Sequence, residues 1–157
     1  MNIAIEDSEL TFKASILILE ELLHLGCDNF SVQLNISYDG SGSNRQKQFK
    51  TDIVDYSLGS FTKEVFFFSH KTCRFSETSE HYAFNQDTIP IISRAMGRGL
   101  MCFKADLEWG ISEWQFYSGS VLLAGANVKD DYFFISGVEQ RFVDLLANVN
   151  IPIVIQT

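Results

Sequence analysis

Two short stretches, HLGC (His24 to Cys27) and HKTC (His70 to Cys73), hold two of the chain's three histidines and two of its three cysteines. A structural zinc site takes four nitrogen or sulfur ligands in a tetrahedron, commonly as two short-spaced pairs on tight turns. His24, Cys27, His70 and Cys73 meet that count, and His81 is a substitute ligand. The same letters also read without a metal. His24 follows Glu20 by one helical turn at a helix C-terminus, where carboxylate and dipole both favour an imidazolium. Cys27, just past the helix stop, then serves as a small buried residue, and His70 and Cys73 leave an aromatic strand as core. A chain of 157 residues buries enough surface to fold without a metal. The expectation is therefore no metal and no cofactor, with zinc at these four residues as the alternative. A thiol nucleophile at Cys73 with His81 as base has the residue types but no local signature.

A second candidate is RAMGRG, Arg94 to Gly99. It resembles the R-x-x-G-x-G turn of GNAT-type acetyltransferases, and the resemblance implies backbone N–H groups at a helix start cradling the pyrophosphate of acetyl-CoA. In that family the motif opens a helix, whereas here Met101 to Trp109 alternate as a strand. A glycine-rich helix exit, punctuated by Gly97 and Gly99, explains the same residues. No G-x-x-x-x-G-K-[ST] phosphate loop, G-x-S-x-G elbow or H-E-x-x-H pair occurs in the chain.

Acids mix with aromatics near turns: Glu108, Trp109 and Glu113, then Asp130, Asp131 and Tyr132. Rings provide anchors for a partner and carboxylates select a basic one, so these six residues are the candidate partner-binding set. The net charge is −8. Residues 1–45 hold seven acids and two bases, residues 46–104 six acids and eight bases, and residues 105–157 seven acids and two bases. Two acidic ends repel phosphate backbones, and no basic run offers counterion release, which argues against direct nucleic-acid binding. No stretch nears the roughly 20 apolar residues that cross a bilayer. The first residues carry acids where an export signal carries lysine or arginine, and three cysteines cannot all pair, so a cytoplasmic location is expected.

The elements that must position these residues follow from hydrophobic period. Asp7 or Ser8 caps a helix with Glu9, Lys13, Glu20 and His24 outward and Leu10, Ala14, Leu17, Ile18, Leu22 and Leu25 inward, stopped by Gly26. Phe30 to Tyr38 alternates as a strand, and the glycine- and serine-rich loop after it leads to a second strand near Gln48 to Tyr56. Further strands are expected at Glu64 to His70 and His81 to Phe84. A helix starts at Asp87 or Thr88, with Pro90 in its first turn, and ends near Gly97. Then come strands at Met101 to Trp109, Glu113 to Ala124 with a bend at Gly119, and Asp131 to Ser136. Ser136 and Glu139 match a capping box ahead of Val138, Phe142, Leu145, Leu146 and Val149, and IPIVI closes the chain as a strand.

The expected fold is α+β: a single domain over residues 1–157, with a mainly antiparallel sheet of six to eight strands and three helices packed on it. The expected function is a non-catalytic binding protein that docks on and blocks a basic protein partner, as immunity proteins do to nuclease-type toxins. The alternatives are a small acyl-CoA-dependent transferase at residues 94–99, and an oligomeric interaction module pairing through the aromatic VFFF strand.

Overall fold

The computed structural model describes residues 1–34, 44–66, 74–101, 111–127 and 131–156. Eight strands form one sheet: β1 (Asn2–Glu6), β2 (Asn29–Leu34), β3 (Ser57–Phe66), β4 (Arg74–Ala83), β5 (Ile111–Ser118), β6 (Val121–Asn127), β7 (Tyr132–Ile135) and β8 (Val154–Gln156). Their order is β3-β4-β2-β5-β6-β7-β1-β8, and every pairing among the described residues is antiparallel. The α-helices are α1 (Phe12–His24), α2 (Asn44–Ile53), α3 (Ile89–Ala95) and α4 (Gln140–Asn148). The fold class is α+β as expected, with four helices among the described residues where three were expected.

Local chemistry accounts for the elements and for the differences. Asp7 and Ser8 are spent in a one-turn 3-10 helix, Asp7–Glu9, and Thr11 caps α1 instead by accepting from the Ala14 N–H at 3.2 Å. At the other end Gly26, at φ 80°, completes a Schellman motif: the Gly26 N–H donates to Leu23 O and the Cys27 N–H to Leu22 O. The segment expected as a strand near Gln48 to Tyr56 is α2 followed by a 3-10 turn, because Gln46, Phe49 and Ile53 recur at helical spacing and are its buried residues. The Ser136–Glu139 capping box does not form. Gly137 turns the chain at φ 78°, Val138 exchanges backbone hydrogen bonds with Met1, and Glu139 is the N-cap of α4 without a side-chain bond. Glu113 to Ala124 is a hairpin with a tight turn at Gly119 rather than one bent strand. Thr88 is the N-cap of α3 and Pro90 lies in its first turn, as expected. The expected strand at Met101 to Trp109 falls, after Met101, outside the described residues.

The core lies between one face of the sheet and the helices. Phe30 packs against Tyr82, Trp114 and Phe116 from the neighbouring strands, Tyr82 and Trp114 meet Phe49 of α2, and Ile18 and Leu22 of α1 and Phe142 and Leu146 of α4 belong to the same cluster. Burial of such side chains contributes about 1.5–3 kcal/mol each. Arg141 of α4 donates from Nη2 to both carboxylate oxygens of buried Glu21 in α1, at 3.1 and 2.9 Å, which fixes these two helices together.

The glycine-rich segment has a structural role of its own. α3 ends at Ala95 and Gly97 follows at φ 66°. Gly99 then lies against the entry of α1: the Leu100 N–H donates to Ser15 Oγ at 3.1 Å, and a Cβ on residue 99 would stand 3.0 Å from that oxygen and well inside contact with the Leu10 carbonyl. Through Met101 no helix opens here, and residues 102–110, which follow the motif, lie outside the described residues. Gly99→Ala should cost about 2–3 kcal/mol, because the obstructing atom is backbone and cannot rotate away. Urea unfolding reads this directly, with Arg98→Ala, which changes the same motif without the clash, as the comparison.

Candidate functional site

Across β4, β2 and β5 the second face of the sheet carries buried polar side chains, and the sheet bends around them. β4 pairs with β2 through only two positions, Asn29 with Ala83 and Phe30 with Tyr82, but with β3 along its whole length. The β3–β4 hairpin therefore peels away after two rungs and curls over the face, bringing β3 against β6, which stands four places from it in the sheet order. Strand alternation places Asn29, Ser31, His81, Gln115 and Tyr117 on this inner face, and all five are buried.

One cluster closes the curl. Asn29 Oδ1 accepts from Lys63 Nζ at 2.6 Å and faces His81 Nδ1 at 2.9 Å, while Asn29 Nδ2 donates to Asp28 Oδ1 and to Gly119 O. Lys63 also donates to Gly119 O at 2.8 Å and lies over the Tyr117 ring at 5.0 Å. Gly119 N–H donates to Asp28 Oδ1 at 2.9 Å. Three strands and the β5–β6 turn thus meet through Asn29, which is 5% exposed.

Asn29 Oδ1 accepts from the Lys63 ammonium, so His81 Nδ1 carries the proton and Nε2 is free to accept from Ser79 Oγ, 3.4 Å away. A serine, a histidine and an asparagine in series have the connectivity of a nucleophile, base and orienter. The electrostatics oppose that use. His81 is 0% exposed, and burial followed by the Lys63 charge lowers its pKa to about 4. An imidazole that faces an ammonium and resists protonation is a poor general base at neutral pH. The cluster is a clamp.

Among the residues expected to bind metal, His24 is exposed at the end of α1, while the Cys27 thiol is buried and donates to Asn29 O at 3.6 Å. Burial, foremost, raises the Cys27 pKa to about 12. His24 thus faces outward and Cys27 inward. His70 and Cys73 lie outside the described residues, as do Glu108, Trp109 and Asp130 of the partner-binding set.

The structure does bring together the rest of that set. The β6–β7 register joins Asn127 to Tyr132 and the β7–β1 register joins Tyr132 to Glu6, while Glu113 lies at the same end of β5. Asp131 sits beside Tyr132, its carbonyl accepting from the Asp7 N–H at 2.8 Å. Glu113 occupies a bulge between the Ser31–Gln115 and Gln33–Ser112 pairs at φ 54°, and Asp131 is at φ 63°. Aspartate tolerates the left-handed region. Glutamate does so at a cost of roughly 1 kcal/mol, a strain that tends to persist at functional positions. Burial, and then the Glu77 charge, hold the Glu113 carboxyl above its usual range.

Sequence reasoning did not find Asn29 or Lys63, and it gave His81 a different role. The available signal was the shared polar parity of Asn29 and Ser31 on β2. Comparisons of the chain with known protein families, with curated proteins and with solved structures gave no match.

Proposed function

We propose that the chain is a non-catalytic, cytoplasmic binding protein that docks on a basic protein partner and blocks it, as an immunity protein neutralises a nuclease-type toxin. The observation that carries this reading is the acidic end of the sheet, where Glu113, Asp131 and Tyr132 share one rim with Glu6. Among the described residues, Glu113 and Glu77 form no ion pair, and the Glu77 charge helps hold the Glu113 carboxyl above its usual range. Carboxylates so placed raise the rate of encounter with a basic surface, and Tyr132 supplies an anchoring ring.

The test is capture from lysates of the native host and neighbouring strains on the immobilised chain, beside the double variant Glu113→Lys/Asp131→Lys. A basic protein should be retained stoichiometrically by the wild type at low salt, released at high salt, and lost from the variant. Equal retention by both chains removes this rim from the interface.

A further inference from the structure

The clamp at Asn29 sets an amine against a side-chain amide whose orientation is fixed by all of its partners. Oδ1 receives Lys63 Nζ at 2.6 Å and the His81 Nδ1–H at 2.9 Å, while Nδ2 donates to Asp28 Oδ1 and, at 3.0 Å, to Gly119 O. Two donors on the oxygen draw electrons from Cγ and make it electrophilic. Lys63 Nζ, held on Oδ1, stands one bond away from that carbon, within the range from which a positioned nucleophile reacts. Asn29 is buried, and the Tyr117 and Phe61 rings lie 5.0 and 5.4 Å from the Lys63 nitrogen, so the amide is shielded from competing water.

Three groups in contact with the reacting atoms supply what an exchange of amides requires. Burial, ahead of the opposing Asp28 charge, lowers the Lys63 pKa and so enlarges the share of neutral, nucleophilic amine. The His81 Nδ1–H points at the oxygen on which negative charge develops when Cγ becomes tetrahedral, the position of an oxyanion donor. Asp28 accepts from Nδ2, the nitrogen that would leave, and its charge is felt at Lys63, so one carboxylate serves both nitrogens.

We propose that Lys63 and Asn29 become joined by an isopeptide bond that the folded chain forms by itself. Lys63 first gives one proton to solvent. Its neutral Nζ then adds to Cγ, the electron pair of the C=O bond moves to Oδ1 opposite the His81 Nδ1–H, and Asp28 passes a proton from Nζ to Nδ2. The oxyanion collapses, the Cγ–Nδ2 bond breaks, and ammonia departs and takes up the proton given to solvent. A Cγ–Nζ amide remains. One amide replaces another, so no oxidant, reductant or co-reactant is consumed. The hydrogen-bonded clamp is the state before the bond. The product ties β3 to β2 across β4, where two rungs alone join the hairpin to the sheet. This inference is independent of the docking reading, since a chain that modifies itself once is not thereby an enzyme.

The experiment is intact-mass spectrometry of the purified full chain during incubation from about pH 7 to about pH 9, with circular dichroism to confirm that it stays folded. The wild type should become lighter by the mass of one ammonia, and proteolysis should release a branched peptide that joins the segment holding Asn29 to the segment holding Lys63. The titratable groups around Lys63 are Asp28, His81, Tyr117 and its register partner Glu77. His81 titrates at about 4 and Tyr117 at about 12, both because of burial first, so neither changes charge in this range. The rate should therefore rise with the neutral fraction of Lys63, about tenfold per pH unit below its pKa. Lys63→Arg, which keeps a cation, and the wild type unfolded in urea should both keep their full mass. A folded wild type of unchanged mass overturns the proposal. So does an equal loss in Lys63→Arg, or a loss with only linear peptides, because a succinimide at Asn29 sheds the same ammonia and leaves Lys63 free.

Discussion

Asn29→Leu is expected to lower stability by about 3–5 kcal/mol, although leucine nearly matches asparagine in size. The leucine would leave the His81 Nδ1–H buried without its acceptor, remove one of the two oxygens that receive Lys63, and strip a donor from Asp28. Each unsatisfied buried polar group costs about 1–3 kcal/mol, and a stranded charge costs more. Lys63 is only half-buried and water can reach it, which keeps the total below a simple sum. The loss should be local in origin. β4 is tied to β2 by two rungs, so without the clamp the β3–β4 hairpin should open, and amide exchange should accelerate first across β3 and β4. A decrease below 1 kcal/mol in denaturant unfolding would mean that the curl is held by its apolar contacts alone. Asn29→Asp separates electrostatics from shape, because a carboxylate at this position would favour the imidazolium and raise the His81 pKa from about 4.

Acid should destabilise the chain in a window set by the same histidine. His81 titrates near 6.5 in an unfolded chain and at about 4 when folded, because burial and then Lys63 disfavour its cation. Between these values the unfolded chain binds a proton that the folded chain refuses. The stabilisation from neutral His81 is therefore complete above about pH 6.5, falls as the pH drops, and is lost once the pH passes about 4. It amounts to about 3 kcal/mol. The groups around the ring are Lys63 from β3, Ser79 from its own strand, Tyr117 from β5 and the Asp28–Asn29 pair, of which only Asp28 would favour protonation. Glu113 acts in the opposite sense: its raised carboxyl stabilises the protonated folded form at low pH, and that contribution disappears as the pH rises through its folded pKa. Unfolding free energies measured from pH 7 to pH 4 should fall for the wild type and stay much flatter for His81→Gln. Parallel curves for the two proteins would show that His81 does not set the window.

What the amino-acid pattern made legible was the part of the fold governed by short-range period. The body of α1, its glycine stop and the start of α3 depend on residues within a turn of one another, and they form as the spacing indicates. β1 left no alternation because Ile3, Ala4 and Ile5 are buried on both faces between β7 and β8. α2 has only Phe49 and Ile53 as apolar anchors in a polar sequence, and the neighbouring Val54 and Tyr56 imitated a strand. The curl of the sheet has no local signature at all. It depends on β2 and β4 parting after two rungs, which brings together Asn29, Lys63 and His81 from three separate strands. For the same reason the seat of the Gln115 amide could not be read from sequence, since it depends on Gly125 in the neighbouring strand. Glu113 and Asp131 were visible as composition, but their placement at one end of the sheet was not.

The most direct test of docking through that rim is the association rate of the captured basic partner with the wild type and with Glu113→Lys/Asp131→Lys, by stopped flow at low and high salt. The predicted result is a variant at least about tenfold slower at low salt, with the difference shrinking at high salt as the charges are screened. Equal rates at both salt concentrations would contradict the claim that these carboxylates guide and seat the partner.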